Sequence, residues 1–317
     1  MSPTAFVQID LDGLWSVREC YGLEVGTAFE DDPVYLEGIE RFAALLDRRK
    51  LSTTFFVTGK DLEIERKCAA LKDIAAAGHE LANHSYSHIL GLTTLDDAAI
   101  EQEITKTQHM FESRLGMTPI GFRAPGYDID ERILRILHTS GFKYDSSLLP
   151  TYWGFVMRVV DRHISRSRKR TKRQFGKTSY GKAPLHPYFP DPSDIIRLVP
   201  EGPLIELPVS VTPFFRLPIH FGAGIKMGLG HVLRTLKTYA KRNIELNYVF
   251  HGVDFVGMDS LGELAKGRLG KMFATSLEKR MNAAAKILDT IRALFDVTTP
   301  RRWIDEGGHE KYRTLRQ

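Results

Sequence analysis

Ala5-Phe6-Val7-Gln8-Ile9-Asp10-Leu11-Asp12-Gly13 carries the pattern that decides the architecture. A run of strand character ends in two carboxylates and a glycine, as a buried strand does when it delivers polar groups to one end of a sheet. The same arrangement recurs twice. The stretch that begins at His79 closes on His84-Ser85-Tyr86-Ser87-His88, and Pro119-Ile120-Gly121-Phe122 runs into Arg123-Ala124-Pro125-Gly126-Tyr127. Two imidazoles and a carboxylate are a donor set for a divalent metal of borderline softness. A second carboxylate beside them can serve as a base, and an arginine can keep that base ionised.

Outward from these clusters, short apolar runs alternate with amphipathic stretches. Strands are predicted at Ala5–Ile9, Thr53–Val57, Glu80–Ala82, Ile120–Phe122, Lys143–Tyr144, Leu204–Val209, Leu246–Phe250 and Phe295–Thr298. Helices are predicted at Pro33–Arg49, Glu63–Ala77, Leu95–Leu115, Asp130–Ser140, Gly230–Lys241 and Leu269–Leu294. Thr94 is placed to cap the third helix, and Gly78, Gly116 and Gly141 stand where a C-terminal glycine belongs. Such alternation predicts a mainly parallel sheet with helices outside it. Asp10, Asp12, His84, His88, Arg123, Asp145 and His251 all fall at or just past a predicted strand end, where parallel folds gather their active groups.

With 317 residues, one (β/α) barrel or two smaller domains can be built. The rhythm breaks at about 151–200, which holds a basic run and then Pro184, Pro187, Pro190 and Pro192. That stretch reads as an insertion over the barrel mouth within a single domain covering 1–317. Hydrophobic residues make up 43% of the chain, an ordinary globular share. Cys20 and Cys68 are the only cysteines, which argues against a disulfide scaffold and for a reducing compartment. No basic leader precedes the first strand and no stretch is long and apolar enough to span a bilayer, so a cytoplasmic protein is expected, peripheral at the inner membrane face at most. The net charge of +5 is concentrated in Arg158–Lys182, where Asp161 is the single acid. That run is either a solvated loop or a contact for anionic lipid or substrate. Nucleic acid is disfavoured, because no recognition motif accompanies the charge.

Taken in order, these motifs resemble the polysaccharide deacetylase family, whose shared catalytic unit is the NodB homology domain (carbohydrate esterase family 4-like). The resemblance runs from about Phe6 to Phe255, with a gap at the insertion. It is carried by Asp10-Leu11-Asp12-Gly13, a spaced Asp-x-Asp variant found in one branch, by Thr53–Gly59, by His84–His88, by Arg123–Tyr127, by Tyr144-Asp145-Ser146-Ser147 and by Val249-Phe250-His251. It implies an α/β fold, a distorted, seven-stranded, TIM-like (β/α) barrel of the NodB type. It also implies a metal on Asp12, His84 and His88, with zinc the first choice and cobalt, nickel, iron or manganese tolerated.

Elementary chemistry supports the same assignment. Amide hydrolysis needs an activated water, a stabilised oxyanion and an acid for the departing amine. Asp10 is expected as base, Arg123 as its bidentate partner and His251 as the acid, with a backbone N–H near Tyr127 helping at the oxyanion. Asp145 either tunes His251 or caps the turn at Ser146 and Ser147. Tyr127, Pro125, Trp15 and Phe215 are expected to face substrate. His220 lies beside Phe221 in the expected mouth region; the other histidines are read as structural. The expected activity is removal of an N-acetyl or N-formyl group from an amino sugar, free or lipid-linked, in envelope or surface-glycan metabolism. The alternatives are hydrolysis of a linear or cyclic non-sugar amide, and a non-catalytic glycan- or lipid-binding relative.

Overall fold

The computed structural model describes residues 2–20, 22–156, 176–265 and 275–313. Its centre is β1 (Thr4–Leu11), whose side chains alternate between two environments. Ala5, Val7, Ile9 and Leu11 pack outward into the main hydrophobic cluster, whereas Phe6 belongs to a second cluster with Phe56, Tyr144 and Trp303. Gln8 and Asp10 continue the inward row, and both meet Arg123.

Around β1 run β2 (Thr54–Val57), β3 (Glu80–Asn83), β4 (Gly121–Phe122), β5 (Tyr144–Asp145), β8 (Ile205–Glu206), β9 (Leu246–His251) and β10 (Asp296–Val297). Every pairing between them is parallel, in the order β9-β1-β2-β3-β4-β5-β8, with β10 adding a short pairing at the foot of β1. Each of the eight predicted strands is present, within a few residues at its ends. The sheet curls into a distorted (β/α) barrel. Between β8 and β9 the gap is bridged without a strand: the Ser210 N–H donates to the Asn247 carbonyl at 3.0 Å, and the Asn247 N–H to Ser210 Oγ at 2.8 Å. Trp303, on α9 (Pro300–Asp305), packs edge-on against Phe6 at 5.3 Å and closes the barrel foot.

The outer helices include α2 (Ile39–Asp47), α3 (Glu65–Ala76), α4 (Asp97–Met110), α5 (Glu131–Thr139), α7 (Leu229–Lys241) and α8 (Leu277–Leu294). Gly78, Gly116 and Gly141 take φ of 87°, 71° and 83°, as their positions predict. Asp96, not Thr94, caps α4: its side chain accepts from the Ala99 N–H, while Thr94 Oγ1 turns back to the Gly91 carbonyl. Aspartate serves the N-cap better because it also places a charge on the positive helix end.

Three helices, α1 (Leu14–Cys20), α6 (Phe221–Met227) and α9, escape the pattern reading. The insertion expected at about 151–200 is described in part. Residues 157–175 lie outside the described residues, and with them most of the basic run. The described remainder forms a hairpin, β6 (Phe189–Asp191) and β7 (Asp194–Val199), and Tyr188 bridges to Glu206 of β8. Through Tyr188 the hairpin meets the open edge of β8, a common way to protect an unpaired edge.

Candidate active site

Asp10 and Asp12 lie on the end of β1 and just beyond it. Gly13 follows because a Cβ there would overlap the Trp15 ring and the Asp32 carboxylate. His84 leaves β3 and enters a tight loop in which Ser85 and His88 adopt left-handed φ of 59° and 54°. Such conformations are uncommon for residues with a Cβ and cost about 1 kcal/mol or more. Glu103 of α4 holds the loop by accepting from the N–H groups of Tyr86 and Ser87 and from Ser87 Oγ. Asn83 Oδ1 accepts from the Ser85 N–H.

This loop brings His84 Nε2 and His88 Nε2 to 3.2 and 2.9 Å from the same oxygen, Asp12 Oδ1. One ligand atom from each residue lies within 4.8 Å of the others. The proton inventory shows what the cluster lacks. His84 Nδ1 sits 2.7 Å from the Arg123 carbonyl, which can only accept, so Nδ1 carries a proton. In the neutral ring Nε2 then aims a lone pair at a carboxylate oxygen. Two lone pairs at that distance repel unless a cation stands between them, either a second proton or a metal. Without metal, protons fill the role: burial pushes the His88 imidazole down, but Asp12 overrides this and lifts it to about 10. Burial raises the Asp12 carboxyl, and the two imidazoles bring it well below its ordinary range. The donor set fits a tetrahedral or expandable divalent site with positions left open.

Asp10 and Arg123 stand behind this cluster, both buried. Arg123 Nη1 donates to Asp10 Oδ1 at 2.6 Å. The contact is single, not the expected bidentate fork. Nη2 is drawn to Gln8 Oε1 and Ser146 Oγ, Nε donates to the Ser146 carbonyl, and the guanidinium lies 4.2 Å over the Phe56 ring. This leaves Asp10 Oδ2 directed toward the mouth.

His251 Nε2 lies 3.9 Å from Asp10 Oδ2. His251 and Asp254 cap one another: the His251 N–H donates to Asp254 Oδ2 at 2.8 Å, and the Asp254 N–H donates to the His251 side chain. The accepting nitrogen is assigned as Nδ1, the one facing Asp254, so the neutral ring holds its proton on Nε2. Asp254 is thus the acidic neighbour of His251, a role for which Asp145 was a candidate. Asp145 instead binds Ser147 through Oγ and N–H and shares a buried corner with Glu206. Burial first, then the mutual repulsion of the pair, raises the Glu206 carboxyl.

The expected substrate-facing residues divide. Tyr127 is buried against the cluster with φ of 60°, and its N–H donates to the Ala124 carbonyl, so it is not free for an oxyanion. Pro125 is buried beside it. Trp15 is wholly buried, and its Nε1 donates to Asp61 at 2.7 Å, which removes it from substrate contact. Phe215 stands out into solvent, with only its carbonyl held by Trp153 Nε1. His220 belongs to the site: its ring meets His251 edge-on at 5.5 Å and Tyr127 at 6.4 Å, and burial with the adjacent imidazole lowers it to about 3.

Residues 24–144 match the model of a family described as polysaccharide deacetylase. Over that stretch the chain is similar to the polysaccharide deacetylases. That match contains His84, His88 and Arg123 and leaves Asp10, Asp12 and His251 on either side. The chain is 35% identical over 136 residues to the peptidoglycan deacetylase-like protein FGM2 of Gibberella zeae, covering 39% of this chain and 38% of that protein. It is 31% identical over 127 residues to a peptidoglycan deacetylase of Helicobacter pylori, covering 39% and 42%. The matched stretch therefore spans well under half the length of either relative. Two solved structures share the fold over nearly the whole chain. A Mycobacterium smegmatis protein classed as a polysaccharide deacetylase has a TM-score of 0.62 at 21% identity, covering 99% of this chain and 93% of that one. A protein of the same class from Pseudomonas aeruginosa PAO1 has a TM-score of 0.60 at 15% identity, covering 98% and 92%.

Proposed function

We propose that the protein is a metal-dependent hydrolase that removes an N-acetyl, or N-formyl, group from an amino sugar of a glycan. The observation that carries this reading is the His84 proton: the Arg123 carbonyl fixes it on Nδ1 and leaves a cation-demanding gap between Nε2 and Asp12. A divalent metal, zinc by the donor set, would supply Lewis acidity there, acidifying a water and polarising the amide carbonyl.

The chain's own residues supply the rest. Asp10, positioned by one contact from Arg123, offers Oδ2 to take a proton from the attacking water. His251 faces Asp10 across the mouth and, in its doubly protonated form, gives the Nε2 proton to the departing nitrogen and is left as the neutral ring. Tyr127 and His220 wall the space beside His251 and exclude bulk water from it. The relatives named peptidoglycan and chitin deacetylase support an N-acetylated sugar polymer as the substrate class.

The test is reconstitution. Zinc- or cobalt-loaded protein is incubated with N-acetylglucosamine oligomers, peptidoglycan and lipid-linked N-acetyl sugars, and released acetate and new amines are measured. Release that disappears in Asp10→Asn at full metal occupancy supports the reading. No acyl release from any of these by metal-loaded protein overturns it.

A further inference from the structure

We propose that the rim carrying Trp153 and Phe215 is a docking surface for an anionic lipid bilayer. This goes beyond the hydrolase reading and does not rest on it. Trp153 Nε1 donates to the Phe215 carbonyl at 2.8 Å, joining the segment after β5 to the loop after β8. Around that joint, Phe155, Phe214 and Phe215 are 63, 68 and 72% exposed, with Val156 and Tyr152 beside them in the sequence also exposed. Single exposed apolar side chains are normal, but a group of this size on two tethered loops marks a surface that meets something apolar.

Charge identifies the occupant. Among the described residues, 146–156, 176–190 and 207–244, the stretches that carry the patch, contain eight Lys and Arg and no acid. The stretches that expose aromatic rings are therefore cationic. At the patch itself, the Arg242 guanidinium lies 4.6 Å over the Phe214 ring. Aromatic and aliphatic side chains amid cations are the features of an interfacial anchor: the rings enter the headgroup–acyl boundary and the cations meet anionic headgroups. A soluble polyanion would use the cations and leave the apolar side chains wet.

The protein carries its own reporter. Of its three tryptophans, Trp15 and Trp303 are buried and Trp153 lies in the patch. The intact chain is mixed with vesicles of equimolar phosphatidylcholine and phosphatidylglycerol, and separately with phosphatidylcholine alone. Expected are co-flotation with the anionic vesicles, a blue shift of tryptophan emission, and binding that salt weakens without abolishing. Phe214→Ser/Phe215→Ser, and separately Phe155→Ser, should each keep the native circular dichroism spectrum, and the double variant should bind about tenfold more weakly. Three results would overturn the proposal: no co-flotation, wild-type binding by the double variant, or salt-abolished binding that soluble polyglutamate matches.

Discussion

Two clusters of buried charge flank Gly13, and they are built on opposite principles. On one side Lys67, 1% exposed, donates to Asp32 at 3.0 Å and to Asp61 at 2.6 Å. Asp61 also accepts from Trp15 Nε1 and the Tyr35 hydroxyl, and Asp32 accepts the backbone N–H groups of Leu14 and Val34. Each of these charges is met by several donors or acceptors. On the other side Asp12, His84 and His88 point at one another with a cation wanting between them. A saturated network fixes the chain; an unsaturated one selects a ligand. The first cluster holds the α1 loop that carries Asp12, so the closed network supports the open one.

The largest effect should come from breaking the open cluster. Asp12→Ala should lose the metal by elemental analysis and lower turnover by more than about 100-fold, the upper end of what partners outside the coordination sphere cost. Saturating zinc should raise the urea midpoint of the wild type and leave that of the variant unchanged. Lys67→Met is the mirror experiment. Removing one partner of a buried ion network should cost about 3–5 kcal/mol, read from urea unfolding, while the folded fraction still binds one metal. A zinc-induced gain in stability that is the same in the two variants would erase the distinction.

Acid–base behaviour sharpens it further. In the metal-free chain His88 is raised from 6.5 to about 10, so the native state holds the extra proton. Its stabilisation is full below pH 6.5 and is lost as pH rises through about 10. Melting in chelator should therefore fall across that window, and saturating zinc should remove the fall by taking the proton's place. The smallest effect is expected at the barrel foot, where burial raises Glu80 to about 7 although Tyr144, Thr54 and the Arg301 N–H all donate to it. The native state binds a proton there that the unfolded chain has released, so stability drops as pH climbs from 4.5 to about 7. Glu80→Gln should flatten that drop while changing stability at pH 4 by no more than about 1 kcal/mol.

Local signals made much of this legible. Each predicted strand was an apolar run that stopped at a polar residue, and burial on both faces of a parallel sheet writes that pattern directly. Helix α1 was not legible, because Asp32, eighteen residues away, holds the Leu14 N–H at its start. The β6–β7 hairpin was hidden by Pro190 and Pro192, tolerated because the pair lies on an edge. In the site, residue types at strand ends pointed to Asp10, Asp12, His84, His88, Arg123 and His251. What those residues bind was not written locally. Glu103, Gln8 and Ser146 reach them across the fold, and Ser146 draws Arg123 away from a bidentate grip on Asp10. Asp254 was within reach of sequence reading, since a histidine three residues before an aspartate at the end of a strand can form a reciprocal cap.

Arg123 has a consequence for how this site tolerates change. Its carbonyl anchors one metal ligand and its guanidinium anchors the base, so the offset between metal and base is a dimension of a single amino acid. Loops around the mouth can drift in evolution without detuning that offset. A substitution at position 123 would release Asp10 by removing the guanidinium, while the backbone carbonyl, which every residue carries, would still hold His84.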